Sequence, residues 1–254
     1  MRPLPNLLRA ASLAAALTAL SGPAHAAETG LTGIWLLDQH TFDQQMTDVL
    51  PFNDHYKAEQ AEVAKQMAEG KLVISDNGKK CLPVGMPGMI VNEFAMEYIE
   101  TPGRVIVVSE ASPVSRTISL TRKAHNADQD PTWNGDSIGH WEGKVLVVET
   151  SNMNDRTSHF PLGMGDIRSK TTKITERYKI SADGKTMVNT MTFEDPAVLT
   201  KPYTKAYTYH RGEPGAELWE YVCETDAAGW SERFKDDPEF KAGPEFKAGP
   251  VAAK

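Results

Sequence analysis

From residue 94 onward the chain is a succession of short branched and aromatic runs, with tight turns between them and no helix-length segment. The runs are Phe94–Ile99, Arg104–Ser109, Ser115–Leu120, Ser137–Trp141, Lys144–Thr150, Thr172–Ile180, Thr186–Glu194, Pro202–His210 and Leu218–Cys223. Thr101-Pro102-Gly103, Glu142-Gly143 and Asp183-Gly184 supply turns, because glycine reaches positive φ at no steric cost and proline fixes its own. Parallel neighbours need a long crossover, usually a helix, and none is visible, so the sheet is predicted to be mainly antiparallel. Thr172–Ile180 alternates most cleanly. Ile174, Glu176, Tyr178 and Ile180 share one face; Thr175, Arg177 and Lys179 share the other. Arg177 could meet Glu194 or Asp195 across the following hairpin. Tyr203, Tyr207 and Tyr209 share a face with Lys205.

Upstream, Gly30–Asp38 reads as an opening strand and Lys71–Ser75 as another. Between them lies the clearest helix, capped by Asn53, closed by Gly70, with Tyr56, Ala61, Ala64 and Met67 near one face and Glu59, Glu62 and Lys65 solvated. Short strands with alternating faces suit a barrel or a sandwich. Gly33-Ile34-Trp35 followed by a meander resembles the first strand of lipocalin-like barrels, which close their edges and often keep one ligand inside. The expectation is therefore a mainly β domain over residues 27–234, an antiparallel lipocalin-like β-barrel with one helix in its N-terminal half.

The ends of the chain differ from this domain. Arg2 and Arg9, the apolar run Ala10–Leu20 and Ala24-His25-Ala26 form the charged region, apolar region and cleavage site of a signal peptide over residues 1–26. The run is too short to be a resident membrane span. A periplasmic or secreted protein with no integral membrane segment after cleavage is expected. Residues 235–254 repeat Pro-Glu-Phe-Lys-Ala-Gly twice and read as a flexible tail. With 34 acidic against 27 basic residues and a formal charge of −7, the chain would repel a polyanion, so nucleic acid is not an expected partner.

An exported pair of cysteines, Cys81 and Cys223, reads most simply as a disulfide. Sulfur is dense from Cys81 to Met89, which would suit Cu(I). No Met-x-Met or histidine-rich cluster supports it, and methionine also fills gaps in cores. No histidine pair has zinc-ligand spacing, and no nucleophile elbow or phosphate-cradling glycine loop occurs. No metal or cofactor is expected.

Cys81-Leu82-Pro83-Val84-Gly85-Met86-Pro87, Pro131–Thr150, Thr150–Thr157, Thr175-Glu176-Arg177-Tyr178, Asp195-Pro196 with Lys201-Pro202, and Glu220–Glu224 follow one another with the order and spacing seen in a group of uncharacterised exported bacterial proteins. The chain resembles that family from about residue 80 to 225. It departs at Lys144, where an acid is usual, at Met153, where Phe is usual, and at Glu224-Thr225-Asp226, where His and Gly-Asn are common. The resemblance implies a fold and export, and no activity.

Two constellations carry candidate chemistry. Asp136 and His140 fall on one strand face, so a carboxylate could orient an imidazole for acid–base work. The plain alternative is a turn cap and a surface histidine. Asn152, Asn154, Asp155, Arg156 and His159 follow a strand and could line a barrel mouth, or form a solvated loop. Trp141 and Tyr207 would line the pocket, with Trp35, Trp133, Trp219 and Tyr203 as further aromatic stock. The expected function is binding of a small apolar or aromatic ligand within the barrel. The alternative is a cofactor-independent lyase or isomerase in which His140 moves a proton, Asp136 orients it, and Asn152 and Arg156 hold negative charge. Oligomeric state is not legible.

Overall fold

The computed structural model describes residues 30–45, 48–69, 82–110, 112–156 and 168–221. The signal segment, the Lys71–Ser75 run, Cys81, Cys223, His159 and the 235–254 tail lie outside them. Nine strands close into one barrel in sequence order: β1 Gly33–Leu37, β2 Met96–Thr101, β3 Arg104–Ser109, β4 Ser112–Ser119, β5 Asp136–Glu142, β6 Val145–Ser151, β7 Lys173–Ile180, β8 Thr186–Glu194 and β9 Tyr203–Arg211. The closing pair is antiparallel, with Trp35 opposite Arg211 and Leu37 opposite Tyr209. This is the expected lipocalin-like form, a meander whose edges meet.

Three features depart from expectation. First, β4 and β5 run parallel, joined over only Ile118↔Ser137 and Ser119↔Ile138. The chain between them, residues 120–135, is long enough to return to the start side without a helix. Second, the described residues hold two helices, α1 Gln39–Gln45 and α2 Asp54–Ala68. Asp38 caps α1 by accepting from the Thr41 N–H at 2.9 Å, a side chain–backbone bond that an Asp before a polar run favours. Asn53 caps α2 as expected, accepting from the Tyr56 N–H at 3.1 Å. Ala61 and Ala64 are exposed, so α2 is anchored from its start: Phe52 stacks on Tyr56 with centroids 6.0 Å apart, and Phe52 bridges Leu199. Third, Leu218–Tyr221 forms no strand, and Trp219 is 81% exposed.

The alternation of β7 is as predicted, with Ile174, Glu176 and Tyr178 inside and Arg177 and Lys179 outside. Arg177 does not reach Glu194 or Asp195. It pairs with Glu142 two strands away, 2.6 Å from Nη2 to Oε2. The inward, buried side chains include Trp35, Tyr98, Tyr178, Phe193, Tyr207 and Tyr209 together with Met96, Met187 and Met191. Methionines 86 and 89 belong to this core too, on a wholly buried stretch from Gly85 to Val91 that plugs one barrel end. Tyr209 donates to Ile90 O at 2.8 Å and Gln45 to Val91 O at 2.8 Å, tying the plug to β9 and α1. No helix among the described residues is long and apolar enough to cross a membrane.

Candidate ligand-binding site

Inward positions of β4, β5, β6, β7 and β8 bring a polar cluster into the middle of the apolar interior. Arg116 on β4 is 1% exposed and Glu176 on β7 is 0% exposed. Arg116 Nη1 donates to Glu176 Oε1 at 3.2 Å, and Nη2 donates to Oε2. The other guanidinium donors reach Ser137 Oγ at 3.1 Å and Thr150 Oγ1 at 2.7 Å. Glu176 Oε1 also accepts from Tyr178 at 2.5 Å and from Asn189 Nδ2 at 3.2 Å. Every one of these contacts offers the carboxyl a donor, the arrangement of an ionised acid held by a fork of N–H groups. Burial pulls the Arg116 guanidinium down, but the charge of Glu176 outweighs it and holds it above its usual range.

Beside this cluster, and among the described residues, Tyr98 Oη, Tyr207 Oη and Asn189 Oδ1 are buried without a hydrogen bond, as is Asn134 Oδ1 at the outer cleft. Native interiors leave few such groups, because each costs about 1–3 kcal/mol when unpaired. Asn189 and Tyr207 are direct register partners on β8 and β9, and Tyr98 packs edge-on against Tyr178 with centroids 5.7 Å apart. Burial pushes the Tyr98, Tyr178, Tyr207 and Tyr209 phenols up, so all four stay protonated donors at neutral pH. Beside Tyr207, Lys205 pairs with Asp48 and Tyr203 donates to Asp48 Oδ2 at 3.1 Å.

The pair expected from Asp136 and His140 does not form. Both lie on the outer face of β5, because its odd members, Ser137 and Gly139, turn inward. His140 is 53% exposed and sits 3.3 Å from Glu142 Oε1. Asp136 is buried by the loop before it: Arg122 donates at 3.0 and 2.5 Å, the Asn126 N–H at 2.9 Å, and His125 Nδ1 lies 3.1 Å away. Burial raises the Asp136 carboxyl, and the bonds from Arg122, Asn126 and His125 more than reverse this, lowering it to about 2. A cleft of about 350 Å³ opens outside the barrel beside it, lined by Val114, Arg122, Gln129, Trp133 and Asn134 among others.

The other expected residues divide. Tyr207 is inward and buried, and Trp141 is inward and packs on the core. Asn152, Asn154, Asp155 and Arg156 lie at the end of the barrel after β6, where the first two hold loops together. Asn152, at φ 58°, donates to Gln129 O at 2.6 Å. Asn154 Oδ1 accepts from the Arg156 N–H at 3.2 Å and from Arg168 at 2.9 Å. Asp155 is exposed and pairs with Lys170 at 3.3 Å. Arg156 and Arg168 both lie 5.4 Å from the Trp133 ring centroid. Arg168, almost wholly buried, also donates to the carbonyls of Asn154, Val84 and Trp133. Segments widely separated in sequence thus meet in one knot at the barrel end.

No protein-family model and no curated protein matches the sequence. Among solved structures, the chain is similar to an asparagine-to-alanine variant of the fluorescent protein UnaG, with 14% identity, TM-score 0.35, and coverage of 73% of this chain and 98% of that one. A secretary abundant heat soluble (SAHS) protein from Ramazzottius varieornatus is similar at 13% identity and TM-score 0.34, over 72% and 96% of the two chains. Wild-type UnaG is similar at 15% identity and TM-score 0.29, over 55% and 93%. The barrel assignment rests on this chain's own strand pairing.

Proposed function

We propose that this is an exported protein that binds a small apolar or aromatic molecule inside the barrel, among Tyr98, Tyr178, Asn189 and Tyr207. The observation that carries this reading is the set of three polar atoms, Tyr98 Oη, Asn189 Oδ1 and Tyr207 Oη, that face the barrel interior without a hydrogen bond among the described residues. A ligand supplying their missing hydrogen bonds gains orientation from them and affinity from the surrounding aromatic and methionine side chains. Export is supported by the signal-peptide pattern of residues 1–26 and by the resemblance to exported proteins. The seating of Asp136 and His140 on the outer face, each with other partners, supports the binding reading over the lyase or isomerase alternative.

Native mass spectrometry of the mature chain from its own host's envelope tests the reading. The expected result is a defined added mass that is lost on denaturation and much reduced in Tyr207→Phe. A bare chain that also fails to take up any of a panel of aromatic compounds would refute it.

A further inference from the structure

The interior holds a full positive and a full negative charge that cancel. We propose that the site selects uncharged ligands and that Glu176 is the residue that sets this choice. The inference rests on the barrel interior being the binding site.

Alone, Arg116 would be a buried cation flanked by Ser137 and Thr150, the setting that captures a carboxylate or sulfonate through paired N–H donors. Here Glu176 already occupies the guanidinium fork on both oxygens. An anionic ligand would meet a carboxylate where Arg116 should receive it, in surroundings too apolar to screen the repulsion. The inward Lys205 of β9 is likewise paired, with Asp48 of the segment between α1 and α2.

What remains open is neutral. Asn189 spends Nδ2 on Glu176 and keeps Oδ1, an acceptor. Tyr207, its register partner, and Tyr98 offer hydroxyls. Cross-strand partners on one face stand about 5 Å apart at Cβ, so one polar group of a ligand can address Asn189 and Tyr207 together. The fitting ligand has an aromatic or apolar body and an N–H or O–H for Asn189 Oδ1: an amide, an alcohol, a phenol or a secondary aromatic amine.

Two dyes with one skeleton test this by fluorescence titration. N-phenyl-1-naphthylamine is neutral and carries an N–H; 8-anilino-1-naphthalenesulfonate adds a sulfonate. The wild-type protein is expected to bind the neutral dye at least tenfold more tightly. Glu176→Gln, which leaves Arg116 without its counter-charge, should reverse the preference, with the sulfonate bound at least tenfold more tightly than by wild type. Thermal unfolding alongside shows whether that variant is folded. If it is not, the double replacement Arg116→Met with Glu176→Met, which keeps the bulk and leaves no charge, is expected to retain the wild-type preference. Equal binding of the two dyes by wild type, or tighter binding of the sulfonate, overturns the selectivity and leaves the binding reading standing. So does a double variant that prefers the sulfonate. Failure of wild type to bind either dye overturns both.

Discussion

Replacing Arg168 by methionine removes a side chain that ties four segments together at the covered barrel end. The guanidinium donates to Asn154 O at 2.8 Å, Val84 O at 3.0 Å, Trp133 O at 2.7 Å and Asn154 Oδ1 at 2.9 Å. Methionine keeps the stem and its burial and loses every donor. Two acceptors survive this: Trp133 O still receives the Met86 N–H at 3.0 Å, and Asn154 Oδ1 the Arg156 N–H at 3.2 Å. The carbonyls of Val84 and Asn154 lose the bonds described for them. Val84 and Asn154 are half-buried, so at the lower end of about 1–3 kcal/mol for each acceptor left unmet the expected loss is about 2 kcal/mol. For a domain of this size that is a fall in Tm of about 4–8 °C. Gly85 belongs to the same knot: at φ 66°, a Cβ there would overlap Trp133 O and lie 2.7 and 2.9 Å from the two Arg168 terminal nitrogens. Gly85→Ala and Arg168→Met should therefore combine non-additively, by about 1 kcal/mol or more. Urea unfolding of wild type, both single variants and the double variant measures this. A loss below about 0.5 kcal/mol for Arg168→Met, the range of ordinary surface changes, would refute the account.

Asp136 titrates near 2 in the fold against an ordinary 3.8, which corresponds to about 2 kcal/mol of stability. Because the folded value is the lower one, this stabilisation is complete above pH 4 and is lost as pH falls from about 4 to about 2; urea midpoints measured from pH 5 to 2 should show it, and Asp136→Asn should abolish that part of the slope. His140→Ala, at an exposed position paired with Glu142, should change stability by less than about 0.5 kcal/mol and leave dye binding untouched; a tenfold loss of binding would return His140 to the site. Gly135 sits at φ 68° with Ser151 O where a Cβ would go, so Gly135→Ala should cost about 2 kcal/mol or more, read from the thermal midpoint.

The alternation of β7 and the tyrosine face of β9 were legible because a period of two needs only neighbouring residues. Glu176 was already on the apolar face of its own strand, and a charge among Ile174 and Tyr178 is the signal that a partner waits inside. The partner was not legible. Arg116 lies 60 residues earlier, and its own run, Ser115–Leu120, is too mixed in polarity to say which face turns inward. Asp136 and His140 do share a face, as the pleat requires. Which face that is depends on Ser137 reaching Arg116, and the acid's real partners, Arg122 and His125, come from a loop whose path no periodicity encodes. The parallel pairing of β4 with β5 was hidden for the same reason, since residues 120–135 cross the sheet end without any regular element to announce it.

That pairing has a mechanical consequence. A ring of strands is as strong as its narrowest weld. Most neighbours here are joined along much of their length, whereas β4 and β5 share two residue pairs and β1 clasps its neighbours by three on each side. Pulled apart or warmed, the ring splits first between Ile118 and Ser137, leaving one ribbon that runs from β5 to β9 and on through β1 to β4. Arg116 and Ser137 flank that split from within, so the first tear in the wall lets water reach the charged pair before either end of the barrel has come undone.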